Sequence, residues 1–120
     1  MIRVYTAPGS QSCRKVIAWL KEHNLSFIEK NIFSSDLHAN ELREILERCE
    51  NGTDDILSKN SKIIKSNKID FDNMKMHELI AFIKANPSIL KRPILMDEHR
   101  FQVGYNEEEI RTFIPRHQRG

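Results

Sequence analysis

The opening stretch, residues 1–20, restricts the possible folds more than any other part of this chain. It reads strand, tight loop, single cysteine, helix. Over 1–6, Ile2, Val4 and Thr6 alternate with Arg3 and Tyr5, the period of a strand. Ala7-Pro8-Gly9-Ser10 then breaks the run, because proline fixes φ and glycine permits positive φ. Ser10 is placed to cap a helix, in which Cys13, Val16, Ile17 and Leu20 form one apolar face. A cysteine in the first turn of such a helix lies where backbone N–H groups converge, and Arg14 and Lys15 add positive charge. That field favours a thiolate. A Cys-x-x-Cys pair would need a cysteine at position 10, and Ser10 stands there. The plainer reading of Cys13 is a small apolar residue on a helix face, which its place in the stripe also permits.

Residues 25–32 alternate again, after an Asn24 suited to a left-handed helix cap. Strand, helix and strand in close succession form a parallel crossover unit, and its loop-to-helix junction is where α/β folds place chemistry. From His38 the period returns to that of a helix, with Ala39, Leu42, Leu46 and Cys49 on one stripe, Ile45 beside it, and Asn51-Gly52 as its stop. Short helical turns are predicted at Thr53-Asp54-Asp55 and between Ser61 and Asn67, then a polar loop over 70–73. The spacing predicts a helix over 76–85 with Met76, Leu79, Ile80 and Ile83 inward, ended by Asn86-Pro87. Ile94-Leu95-Met96 and residues 100–103 flank a turn at Asp97-Glu98-His99 and read as a hairpin. Asn106-Glu107-Glu108-Glu109 resembles a capping box for a last helix that packs Ile110, Phe113 and Ile114 and ends at Pro115. The order is β-α-β, a helical insertion, then β-β-α, which an α/β fold with a four-stranded mixed sheet satisfies. One domain is expected over 1–115. Its sheet core comes from about 1–32 and 88–115, its helical insertion from about 33–86, and residues 116–120 form a flexible basic tail.

Composition narrows the function classes. The 120 residues are 39% hydrophobic, enough for one modest core, and the net charge of +2 does not compel nucleic-acid binding. No apolar run approaches the roughly 20 residues that span a bilayer, and no signal peptide opens the chain. A cytoplasmic protein without a membrane partner is therefore expected. The two cysteines are too few for a secreted disulfide scaffold, and Cys49, on an apolar helix stripe, reads as core packing. His23, His38, His77, His99 and His117 are scattered without metal-ligand spacing, and Gly9 is not followed by the Gly-Lys-Ser of a phosphate loop. Neither a metal nor a cofactor is expected.

A family resemblance is carried by several segments in register. They are Tyr5-Thr6, Ser12-Cys13-Arg14-Lys15, Ala18-Trp19-Leu20, Asn31-Ile32-Phe33-Ser34, Asn51-Gly52-Thr53-Asp54 and Arg92-Pro93-Ile94. The run Gln102-Val103-Gly104-Tyr105-Asn106-Glu107 follows, with Ile110-Arg111 and Phe113. Together they span almost the whole chain. The sequence resembles the Spx family, redox-responsive global transcription regulators of Firmicutes related to the ArsC-type arsenate reductases. The resemblance implies a thioredoxin-like fold in which Pro93 opens the third strand beside the cysteine loop after a cis Arg92-Pro93 bond. It implies a regulator, not an enzyme, that docks on the C-terminal domain of the RNA polymerase α subunit. Docking blocks activator contacts and promotes transcription of thiol- and oxidative-stress genes. Promoter DNA would be reached only through polymerase, ClpXP would degrade the protein, and no small-molecule substrate or cofactor would be needed.

In that family a redox-active Cys-x-x-Cys forms a disulfide that tunes activity. Cys13 aligns with its second cysteine and Ser10 with its first, so the disulfide cannot form here. Either a natural loss or a replacement of cysteine by its near-isostere accounts for Ser10. Gly52 would belong to the α-subunit docking surface, or serve simply as a helix C-cap. Arg92 would lie near Cys13 and stabilise a thiolate or an oxyanion, or be a solvated arginine. Arg116 and Arg119 read as solvated charge, or as phosphate contacts on polymerase. The alternative function is an ArsC-like oxyanion reductase with Cys13 as nucleophile and Arg14 and Arg92 as anion ligands. Asn60 stands where such enzymes tend to carry another arginine, which weakens that reading. A glutaredoxin-like oxidoreductase is disfavoured because Ser10 removes the dithiol route.

Overall fold

The computed structural model of the chain describes residues 1–34, 37–58 and 61–114. The expected tail over 116–120, Pro115 and Asn60 lie outside the described residues. The chain divides into two compact units, Met1–Asn31 with the segment from Arg92 onward, and Ile32–Lys91.

The first unit is built on a four-stranded sheet in the order β2-β1-β3-β4. Strand β1 (Ile2–Thr6) leads into helix α1 (Gln11–Glu22) and strand β2 (Phe27–Asn31). The two strands pair in parallel with Ile2 opposite Phe27 and Thr6 opposite Asn31, the predicted crossover unit. Strands β3 (Ile94–Met96) and β4 (Phe101–Val103) form the predicted hairpin. Strand β3 runs antiparallel to β1, with Val4 opposite Leu95. The Arg92-Pro93 peptide is cis, as expected. Ile2, Val4, Val16, Leu20, Leu95, Ile110 and Phe113 form one buried cluster in which α1 and the segment after β4 cover one face of the sheet.

Three features of this unit depart from the sequence reading. Tyr5 and Val4 point to opposite faces of β1 and both are fully buried, so both faces are covered there and the alternation does not divide a wet face from a dry one. Strand β2 spans five residues and lies at an edge, where Ile28, Glu29 and Asn31 stay exposed. The last element is a 3-10 helix, Glu109–Phe113, and not an α-helix. Its cap is the Asn106 side chain, whose Oδ1 accepts from the N–H groups of Glu108 at 2.9 Å and Glu109 at 3.0 Å. A short polar side chain satisfies two amide donors at once, so the glutamates are not needed as caps.

The second unit carries helices α2 (Ala39–Arg48), α3 (Lys62–Asn67) and α4 (Met76–Ala85), with 3-10 turns at Gly52–Asp55, Phe71–Asn73 and Pro87–Ile89. Helix α2 packs on α4. The buried face of α2 is Leu42 and Ile45, whereas Ala39 is exposed and Leu46 and Cys49 are only half-buried. The helix ends at Arg48, before Gly52, so that glycine is not its cap. In α4, Leu79, Ile80 and Ile83 are buried as expected, but Met76 is 38% exposed because it opens the helix beyond the covered turns. Over 70–73, where the sequence predicts a polar loop, Phe71–Asn73 form a 3-10 turn with Phe71 buried and packed edge-on to Phe82, ring centroids 6.0 Å apart.

Candidate functional site

The cysteine loop is built by local rules. Gly9, at φ +79°, turns the chain out of β1. Ser10, in extended conformation, is the N-cap of α1, and its Oγ accepts from the Cys13 N–H at 3.3 Å. The cap orients the turn that carries Cys13. That residue is 3% exposed, and its thiol is free. Cys13 lines a cleft of about 500 Å3 together with Thr6, Ser10, Arg14, Lys21 and Glu29. Thr6 Oγ1 donates to Glu29 Oε2 at 2.8 Å, which fixes a carboxylate in the wall of the cleft. Two cations and one carboxylate therefore line the same cleft as the thiol. Arg92 is half-buried and is not among the described residues lining the cleft.

The second candidate place is the turn after α2. Gly52 opens the 3-10 turn at φ +72°, exposed, and a Cβ added there would meet nothing within 4 Å. The carboxylate of Asp55 faces back across the turn. It accepts from the Asn51 N–H at 3.0 Å and from Asn51 Nδ2 at 3.3 Å. The Asn51 backbone donor is the main reason its carboxyl titrates below the ordinary carboxylate range. On the other side Lys91 Nζ donates to the Asp54 carbonyl at 3.0 Å. The strand-like segment that follows is tied down as well. Lys91 N–H donates to Ile56 O at 2.7 Å and Ser58 N–H to Ile89 O at 2.8 Å, around a bridge between Leu57 and Leu90.

Cys49 borders this turn and is not a core residue as the sequence suggested. It is half-buried, and its Sγ donates to the Ile45 carbonyl at 3.3 Å. Burial, then the negative charge of Asp55, pushes the thiol up to about 11. Asp55 itself was missed in the sequence. The only signal for it was the polar pair Asn51 and Asp55 flanking a glycine.

No cluster of three or more metal-ligating side chains occurs among the described residues. Among the same residues, no helix is long and apolar enough to cross a membrane.

Comparison with known proteins decides the family. The model of the ArsC family matches residues 5–113. The chain belongs to the ArsC family. Within this family it is 50% identical to the global transcriptional regulator Spx 1 of Oceanobacillus iheyensis over 97% of this chain and 88% of that one. It is 47% identical, with the same coverage, to the global transcriptional regulator Spx of Bacillus subtilis. Among solved structures, a possible arsenate reductase from Streptococcus mutans superposes with a TM-score of 0.74 at 20% identity, covering 92% of this chain and 97% of that one. The β2-β1-β3-β4 sheet of this ArsC-family chain is thus the thioredoxin-like arrangement of its relatives. Its near relatives are named regulators, whereas the wider family includes reductases.

Proposed function

We propose that this chain is a transcription regulator that docks on the C-terminal domain of the RNA polymerase α subunit through the turn at Asn51, Gly52 and Thr53. The observation that carries this reading is the near full-length similarity to proteins named global transcriptional regulator Spx. The turn suits such a role. An exposed glycine with open space about its Cα lets a partner backbone approach closely, and the turn is held from both ends by hydrogen bonds. In this reading the protein works in the cytoplasm, reaches promoter DNA only through polymerase, promotes thiol- and oxidative-stress genes, and is removed by ClpXP. Ser10 leaves Cys13 without a disulfide partner in the loop, so its docking does not depend on an intramolecular switch there.

A second reading, an oxyanion reductase with Cys13 as nucleophile, is favoured by Arg14 and Lys21 in the wall of the cleft. The carboxylate of Glu29 in the same wall opposes it, because it repels the anion that the cations would hold.

A titration of the chain against the isolated C-terminal domain of α separates the two. Saturable binding, lost on Gly52→Arg, is the expected result. Binding absent at tens of micromolar, weaker than about −6 kcal/mol, together with arsenate-dependent oxidation of Cys13, would replace the regulator by the reductase.

A further inference from the structure

Gly52 poses a question that its own side chain cannot answer. Glycine enters the left-handed region freely, and for the same reason leaves it freely. Nothing within 4 Å of the Cβ position packs against it, so no contact at residue 52 holds φ at +72°. The constraint must come from the residues on either side.

We infer that Asp55 is the positioning residue of the docking turn: its carboxylate grips both donors of Asn51 and so holds the intervening Gly52 in the conformation that the partner meets. The inference rests on the docking reading above. One carboxylate oxygen takes the backbone N–H of Asn51 and the other its side-chain amide, so the two bonds define a fork and leave Asn51 little freedom to rotate. Residues 52–54 are then bounded at one end by this fork. At the other, the Lys91 ammonium holds the Asp54 carbonyl and a short ladder ties the chain beyond Ile56 to residues 89–91. A turn already in its bound conformation loses less entropy on association, which raises affinity without a contact of its own. The charge of Asp55 matters in a second way. A hydrogen bond to an ionised acceptor is stronger than one to a neutral amide, so asparagine is an incomplete substitute. Among the groups around this carboxylate, Lys91 supplies the opposing charge and Cys49 stays a neutral thiol at physiological pH.

The test measures binding of the full chain to the α C-terminal domain for six proteins: unaltered, Gly52→Arg, Asp55→Ala, Asp55→Asn, Asn51→Ala and the Asn51→Ala/Asp55→Ala double variant. Asp55→Ala should weaken binding roughly tenfold, and Asp55→Asn should recover part of that loss. Asn51→Ala should weaken it a few-fold alone and add almost nothing in the Asp55→Ala background, because the two residues act through one shared fork. Amide exchange at Asn51 in the free protein should quicken in Asp55→Ala, a change that needs no partner. Additive losses in the cycle would mean that each side chain touches the partner itself, and would overturn the inference. So would unchanged exchange at Asn51. Binding that Gly52→Arg abolishes and Asp55→Ala leaves intact overturns the inference alone. Absence of binding by the unaltered chain overturns the docking reading first, and the inference with it. Should Asp55→Ala fail to fold, Asp55→Asn keeps one acceptor oxygen and carries the same test at smaller amplitude.

Discussion

The sharpest prediction concerns the two ways of filling Gly52. An L-residue in the left-handed region costs about 1–2 kcal/mol. An alanine also narrows the unfolded ensemble, which returns about 0.4–1 kcal/mol. No steric contribution enters, because the added Cβ meets nothing within 4 Å. Gly52→Ala should therefore lower unfolding free energy by about 1 kcal/mol, and Gly52→Arg by nearly the same amount, since its longer side chain extends into solvent. Docking separates them. Where Gly52→Ala instead relaxes out of φ +72° in the free protein, stability is spared and the partner must restore that conformation on binding. Binding then weakens by about 5- to 30-fold, the equivalent of 1–2 kcal/mol. Gly52→Arg carries the same backbone penalty plus the collision of its side chain with a partner backbone, so its loss should exceed that of alanine by at least about tenfold, the mark of a close approach. The assays are urea unfolding and calorimetric titration against the α C-terminal domain. Equal dissociation constants for the two variants would refute the close approach. Unfolding free energy and binding both unchanged in Gly52→Ala would refute the left-handed conformation at residue 52.

Further outcomes follow from other parts of the molecule. Ser10→Ala removes the cap that receives the Cys13 N–H and should lower stability by about 1 kcal/mol in urea unfolding. Ser10→Cys should form an intramolecular disulfide with Cys13 on treatment with diamide, read by mass spectrometry, whereas the unaltered chain should form none within the loop. Leu95→Ala empties a fully buried position in the sheet core and should cost about 2–5 kcal/mol. Cys49, with its thiol near 11, should react with iodoacetamide slowly at pH 8, where only about one thiol in a thousand is ionised. Its labelling should quicken in Asp55→Asn, which removes a negative neighbour. Because folding raises this pKa from 9.0 to about 11, the thiol's contribution to stability is complete below pH 9 and lost as pH rises through the folded value.

The fold was largely legible because its decisive signals are local. The proline-glycine break and the Ser10 cap mark the strand-to-helix junction. Asn24 indeed has positive φ at the end of α1, and the turn at 97–99 joins the hairpin strands. The bounds of α4 match its apolar period and its terminating proline. The turn over 51–55 was only half legible. Gly52 could be read as a place of conformational freedom, but its role as a helix cap failed because α2 stops at Arg48. Asp55 carried no periodic signal at all. Its meaning depends on a fork to Asn51 that exists only once the 3-10 turn has closed.

What the sequence by itself determined is the order of elements, the missing dithiol at positions 10 and 13, and the family. All three depend on residue identity at fixed chain separations. What only the tertiary structure decided is burial and its chemical consequences. Tyr5 is buried although it points away from the face that Val4 occupies, Met76 is exposed because α4 begins beyond the covered turns, and Cys49 is a half-buried thiol beside Asp55. Periodicity tells which residues share a face. Which faces are covered, and which charges come to stand beside one another, depends on segments distant in the chain, and those meet only in the folded molecule.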